Sequence, residues 1–192
     1  MNSPRAIPRL CRLALLGCWL ALASLARGDE PKSAGEYQVK AVFLYNFTRF
    51  VEWPETAFVT TNSPLVIGVL GDDPFGPVLD EAVRGEVVHN HPLSVTRFRR
   101  GESISGCHIL FVSRSERERL GEIAGQLRNS PTLLVADTQR AAERGAMINL
   151  TTQENVRMEI NLSAAENAGL RMSSKLLGIA KVVSPSGRGV SP

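Results

Sequence analysis

The sequence predicts an α/β fold: a layered, mostly parallel sheet with an antiparallel hairpin near one edge. Three observations carry this. Leu65–Leu70 (LVIGVL), Cys107–Val112 and Leu133–Ala136 are short, continuous apolar runs, the mark of strands buried on both faces. Capping residues and a helical stretch follow each of them, an alternation that right-handed crossovers turn into a parallel sheet. Lastly, Met147–Leu150 and Val156–Leu162 flank the polar turn Thr151–Asn155. In the second of these segments Val156, Met158, Ile160 and Leu162 alternate with Arg157, Glu159 and Asn161, so a hairpin with one wet face is expected.

Residues 1–26 read as a secretory signal and are set apart from the fold. Arg5, Arg9 and Arg12 form the basic front, Leu13–Leu25 the apolar run, and Ser24-Leu25-Ala26 the small-x-small cleavage site. Cleavage near Ala26 is expected to export the chain. Leu15-Leu16-Gly17-Cys18 resembles a lipoprotein box, but hardly any apolar run precedes Cys18, which argues against acylation there. Residues 27–35 and 184–192 are rich in Gly, Ser, Pro and charge and are expected to be mobile ends. Residues 36–183 form a single domain.

Removing the signal changes the charge. The whole chain has 22 basic and 19 acidic residues, a net +3. The signal holds three of the arginines and no carboxylate, so the remainder balances at 19 against 19. A basic nucleic-acid surface therefore has no support from net charge. Cys11 and Cys18 leave with the signal as well. Cys107 remains alone, heading a strand, and reads as a buried small hydrophobe.

The first mature element is Tyr37–Pro54, YQVKAVFLYNFTRFVEWP. At 100° per residue its apolar side chains sweep an arc of roughly 200°, so this helix must lie under or between others. Gln38, Thr48, Arg49 and Glu52 share the other side with Tyr45, and Pro54 ends the helix at Trp53. Lys40 and Asn46 fall inside the apolar arc and need polar partners. Asn46 is expected to bond to the sheet and lock the helix down.

Thr56–Pro64 is a loop before the first strand. Gly71-Asp72-Asp73-Pro74 then supplies a turn and a cap for a helix reaching about Arg84. Val87–Phe98 is extended, with a break near His89–Pro92. Ser115-x-x-Glu118 opens a helix to Arg128, and Asp137-Thr138 leads into a short one ending near Arg144. Ser163-x-x-Glu166 opens another that Gly169 closes, and Ser173 or Ser174 begins a last helix to about Val183.

Chemistry-bearing motifs are sparse. Gly71–Gly76 lacks the lysine of a phosphate loop, and no dinucleotide fingerprint occurs. His89-x-His91 has no third ligand and is interrupted by Pro92, so no metal site is assigned. Neither a nucleophile elbow nor a nucleophile–base pair is identifiable, and no cofactor is expected. The loops after the three parallel strands should meet at their carboxyl ends, where α/β sheets commonly bind ligands. Asp72, Asp73, Ser113 and Asp137 are thus candidate ligand-cleft residues, although the same residue types are what helix caps require.

Five blocks then point to a family: Lys40–Pro54, Val69–Gly76, Cys107–Ser113, Glu159–Leu162 and Ala168–Leu177. In order and content they resemble the YfiR family of bacterial periplasmic proteins, the first and last blocks most specifically. The resemblance implies a Rossmann-like α/β sandwich, often dimeric. It also implies a non-enzymatic inhibitor of the periplasmic sensory part of an inner-membrane diguanylate cyclase. An outer-membrane lipoprotein partner would relieve the inhibition, with cyclic-di-GMP and biofilm as the output. Sensor kinases are an alternative partner, and a small-ligand-binding protein feeding such a sensor is the alternative function. Redox control through internal disulfides has no basis in a mature chain with Cys107 alone. Such an inhibitor needs a partner surface, for which the candidates are Tyr45, Arg49 and Glu52 on the first helix, Arg157, Glu159 and Asn161 on the hairpin, and Ala165 after it.

Overall fold

Helix α1 (Lys32–Phe50) starts inside the stretch expected to be mobile and stops three residues before the expected end. Backbone pairing explains the early stop. Val51–Glu52 forms a short strand, β1, antiparallel to β9 (Arg171–Met172), and the Ser173 N–H bonds to the Phe50 carbonyl at 2.8 Å. Extended geometry at Trp53, imposed by Pro54, favours the same exit. This computed structural model describes residues 32–152 and 155–183; the expected signal and the tail from residue 184 lie outside the described residues.

Eight strands form the main sheet: β2 (Leu65–Leu70), β3 (Val87–Val88), β4 (His91–Phe98), β5 (Ile109–Val112), β6 (Leu133–Ala136), β7 (Ile148–Thr152), β8 (Val156–Ile160) and β10 (Lys181–Val182). Their order is β10-β8-β7-β6-β5-β2-β4-β3, and pairing is parallel except at β7/β8 and β3/β4. The chain is thus mixed α/β with a mostly parallel sheet, compatible with a Rossmann-like arrangement. In the centre β5 and β6 are buried along their whole length, as unbroken apolar runs require.

Helices α2 (Pro77–Val83), α3 (Leu120–Gln126), α4 (Leu162–Asn167) and α5 (Ser174–Gly178) are short. Residues Arg114–Arg119 and Ala142–Arg144 are 3-10 turns where longer helices were expected. The expected break in Val87–Phe98 is a two-residue hairpin turn at His89–Asn90 that joins β3 to β4. His89 and Asn90 both have positive φ (50° and 70°), the twist that joins antiparallel strands tightly. The last helix, expected to reach about Val183, ends at Gly178, and Lys181–Val182 forms strand β10 instead; two residues carry no periodicity to read. It adds in parallel to β8 and covers the hairpin's outer edge.

Candidate functional site

Helix α1 meets the sheet with a different face from the one its hydrophobicity suggests. Tyr37, Lys40, Ala41, Leu44, Phe47, Thr48 and the adjoining Val51 are buried, an i, i+3/i+4, i+7 stripe. Val39 and Val42, in the half of the apolar arc that turns away from the sheet, are 45% and 54% exposed. Asn46 stands with them, half-exposed and without a side-chain bond to another described residue, so it does not lock the helix to the sheet. Thr48, placed on the polar side by the wheel, is buried and satisfies its hydroxyl on the Tyr45 carbonyl at 2.6 Å. The wheel misplaced the buried face because it weighted Val and Phe equally with residues that polar contacts pull inward.

The strongest of those contacts is at Lys40. Its side chain is fully buried and its Nζ donates to Asp137 Oδ2 at 2.7 Å and to Glu36. Tyr37 donates its hydroxyl to the same Asp137 oxygen at 2.8 Å, and Arg114 Nε lies 3.2 Å from it. Arg114 also donates to Glu36 at 2.7 Å, and Thr152 to Glu36 at 2.9 Å. Burial and the Asp137 hydrogen bond push the Tyr37 phenol well above its ordinary value, so it stays a donor. Burial alone would raise Glu36, but hydrogen bonds from Lys40 and Thr152, with the Lys40 and Arg114 charges, hold it below the usual carboxylate range.

Six side chains from four segments therefore converge at the carboxyl ends of β5, β6 and β7. A cleft of about 1010 Å³ opens there, lined by Arg114, Asp137, Thr138, Arg140, Arg144 and Thr152 among others. Of the four expected cleft residues, only Asp137 lines it. Asp72 offers its backbone N–H to Ser115 Oγ (2.9 Å), and Ser113 Oγ contacts Ser115 Oγ (2.8 Å). Asp73 caps the Phe75 N–H at 2.8 Å and binds Arg97 at 3.0 Å, which Asp80 holds from the other side. Those three are turn-forming residues, and Ser113 and Ser115 pack against Gly71, whose φ of 91° and close serine neighbours leave no room for a Cβ. Glu36, Tyr37 and Arg114 were missed by sequence reasoning; the signal available was Lys40 itself, an ammonium on an apolar arc that demands a carboxylate.

The partner-surface candidates divide in the same way. Tyr45, Arg49, Glu52 and Arg157 reach the surface; Tyr45 donates to Glu86 at 2.8 Å and Glu52 pairs with Arg171 at 2.9 Å. Half-buried Glu159 accepts from Asn149 at 3.2 Å and lies 3.8 Å from Lys181. Asn161 and Ala165 are buried and drop out of the exposed surface. Asn161 belongs to no wet strand face: it is the N-cap of α4, accepting from the Ala164 N–H at 3.1 Å.

Cys107 is buried, and desolvation pushes its thiol up to about 12, which leaves it protonated and unreactive. His91 stacks on Phe58 at 3.7 Å and bonds to the Ser63 carbonyl at 2.7 Å, and Phe58 stacks in turn on His108 at 4.5 Å. The His89-x-His91 pair is thereby absorbed into turn and aromatic packing.

Compared with known families, residues 37–181 match the YfiR/HmsC-like family, three quarters of the chain and all of the main sheet but the last strand residue. The chain belongs to that family. As a YfiR/HmsC-like protein it fits a periplasmic regulator of a diguanylate cyclase. Comparison with curated proteins returned no match. Among the described residues no helix is long and apolar enough to cross a membrane.

Proposed function

We propose that this chain is a non-enzymatic periplasmic repressor with a Rossmann-like layered fold. It binds the periplasmic sensory part of an inner-membrane signalling enzyme, a diguanylate cyclase, and holds it inactive, lowering cyclic-di-GMP and biofilm formation. Family membership across residues 37–181 is the observation that carries this reading. The outward face of α1 supplies a surface suited to it: Val39 and Val42 exposed, flanked by Asn46, Tyr45 and Arg49. A mixed apolar and polar stripe of this kind is what a partner with two states can bind differentially.

An outer-membrane lipoprotein that competes for the same face would release the cyclase, and self-association through it would give a homodimer. Deleting the gene should raise cyclic-di-GMP and surface attachment; unchanged levels in a cell that carries an adjacent cyclase would sink the reading. The alternative, a ligand-binding protein feeding a sensor kinase or cyclase, is favoured by one observation, the wide cleft beside Asp137.

A further inference from the structure

One edge of the main sheet is left open by the short hairpin that leads into it. Strand β3 pairs with β4 only through Val87–Pro92 and Val88–His91, and the last bond between the two segments runs from the Leu93 N–H to the Glu86 carbonyl at 3.0 Å. Beyond Leu93, β4 pairs with β2 alone, in unbroken register to Phe98. Backbone groups of successive strand residues point to opposite sides of the strand. The Phe98 carbonyl accepts from the Gly71 N–H on the β2 side at 3.1 Å, and the Leu93 N–H points the other way. Val95 and Arg97 therefore turn both N–H and C=O outward, where no described residue pairs with them. Natural edges are commonly blunted by lysine, proline or a bulge. Leu93–Phe98 (LSVTRF) has none of these, and its one charge, Arg97, is folded back onto Asp73, Asp80 and the Gly76 carbonyl.

We propose that this edge pairs antiparallel with the same edge of a second copy of the chain, joining the two sheets across a two-fold axis at Thr96. The open groups are self-complementary, as such an interface requires. With Thr96 facing Thr96, Val95 of each copy lies opposite Arg97 of the other, and every open N–H of the pair meets an open C=O. An axis at Val95 would need the Leu93 N–H, which Glu86 already holds, and one at Arg97 would set the two arginines opposite each other. The Thr96 register avoids both. It also brings the exposed Arg99 of one copy towards the exposed Glu86 of the other, and places two threonines in the close, non-bonded position that suits them. Because the contact is a single strand edge, the dimer is concentration-dependent. It uses no residue of α1, so it is separate from any contact through Val39 and Val42, and it holds whether or not the chain represses a cyclase.

Cross-linking and sedimentation of the mature chain test this. Cα atoms of a non-hydrogen-bonded antiparallel pair stand about 4.5 Å apart, within the range that a disulfide spans. Thr96→Cys should therefore give a disulfide-linked dimer on mild oxidation at high protein concentration, with the native Cys107 buried and silent. Ser94→Cys, whose counterpart lies about 13 Å away along the paired strands, should not. In sedimentation velocity the wild type should show a monomer–dimer equilibrium. Val95→Pro removes an N–H that no internal bond uses and should weaken that equilibrium about tenfold or more, whereas Val95→Thr keeps the N–H and should leave it within a few-fold. The Thr96→Cys result decides the matter even if Val95→Pro fails to fold. Cross-linking through Val42→Cys but not Thr96→Cys would overturn the assignment. So would a wild type that is monomeric at every concentration, which would leave the edge to a strand of another protein.

Discussion

Two charge clusters stand at the same end of the same sheet, and both are built from carboxylates facing an arginine. At β2, Asp73 and Asp80 grip Arg97 in a partly exposed clamp. At β6, Asp137 and Lys40 meet with both side chains fully buried, with Tyr37, Arg114 and Glu36 around them. The location at strand carboxyl ends is shared, so location alone does not make a site. Burial makes the difference. The first cluster closes a turn, and the second ties α1 to the sheet.

The largest expected effect separates the two clusters by stability. Lys40→Met strands the Asp137 carboxylate in the interior and should cost about 3–5 kcal/mol in urea unfolding. Arg97→Ala should cost no more than about 1 kcal/mol, since its partners can turn to water. Equal losses would mean that the buried pair is not what holds α1. Next in size, Arg140→Gly removes a left-handed non-glycine residue and should stabilise by about 1 kcal/mol, read as a rise in urea midpoint at constant slope.

Titration sharpens the same contrast. Burial first, and then the nearby His91, depress His108 below its ordinary value of 6.5. The unfolded chain therefore binds the proton first, and stability should fall as pH drops from 6.5 towards the folded value. His108→Asn keeps an acceptor for the Val66 N–H, which His108 Nδ1 now takes at 3.1 Å, and should flatten that slope. Glu36, also depressed, adds its loss only at lower pH, as the medium falls from the ordinary value of 4.5 through the folded one. A pH–stability curve that is flat from 7 to 5 in the wild type would contradict the His108 assignment. The smallest expected stability change is Val42→Glu, within about 0.5 kcal/mol, because the side chain is exposed.

Sequence carried much of the frame and less of the site. Apolar runs at Leu65–Leu70 and Leu133–Ala136 named central strands, since burial on both faces leaves no other pattern available. Lys40 was legible as a buried cation in need of a partner, but Asp137 lies 97 residues away and nothing local ties the two. Val39 and Val42 misled because hydrophobicity says that a residue can be buried, not that anything covers it. Asn161 misled in the opposite sense: strand alternation placed it in water, but capping of α4 took it in. Leu170–Met172 was readable as extended, and β9 is there; but strand β10 and the pairing of β9 with β1 are set by tertiary hydrogen bonding that no window of sequence contains.

The exposed face of α1 and the buried one make separable claims, and Val42→Glu isolates the first. The most direct test measures cyclic-di-GMP in a strain lacking the gene, complemented with wild type or with Val42→Glu expressed to the same level. Deletion should raise cyclic-di-GMP, wild type should restore it, and Val42→Glu, folded but altered at the surface, should not. Unchanged cyclic-di-GMP on deletion, or full restoration by Val42→Glu, would contradict repression through this face of the helix.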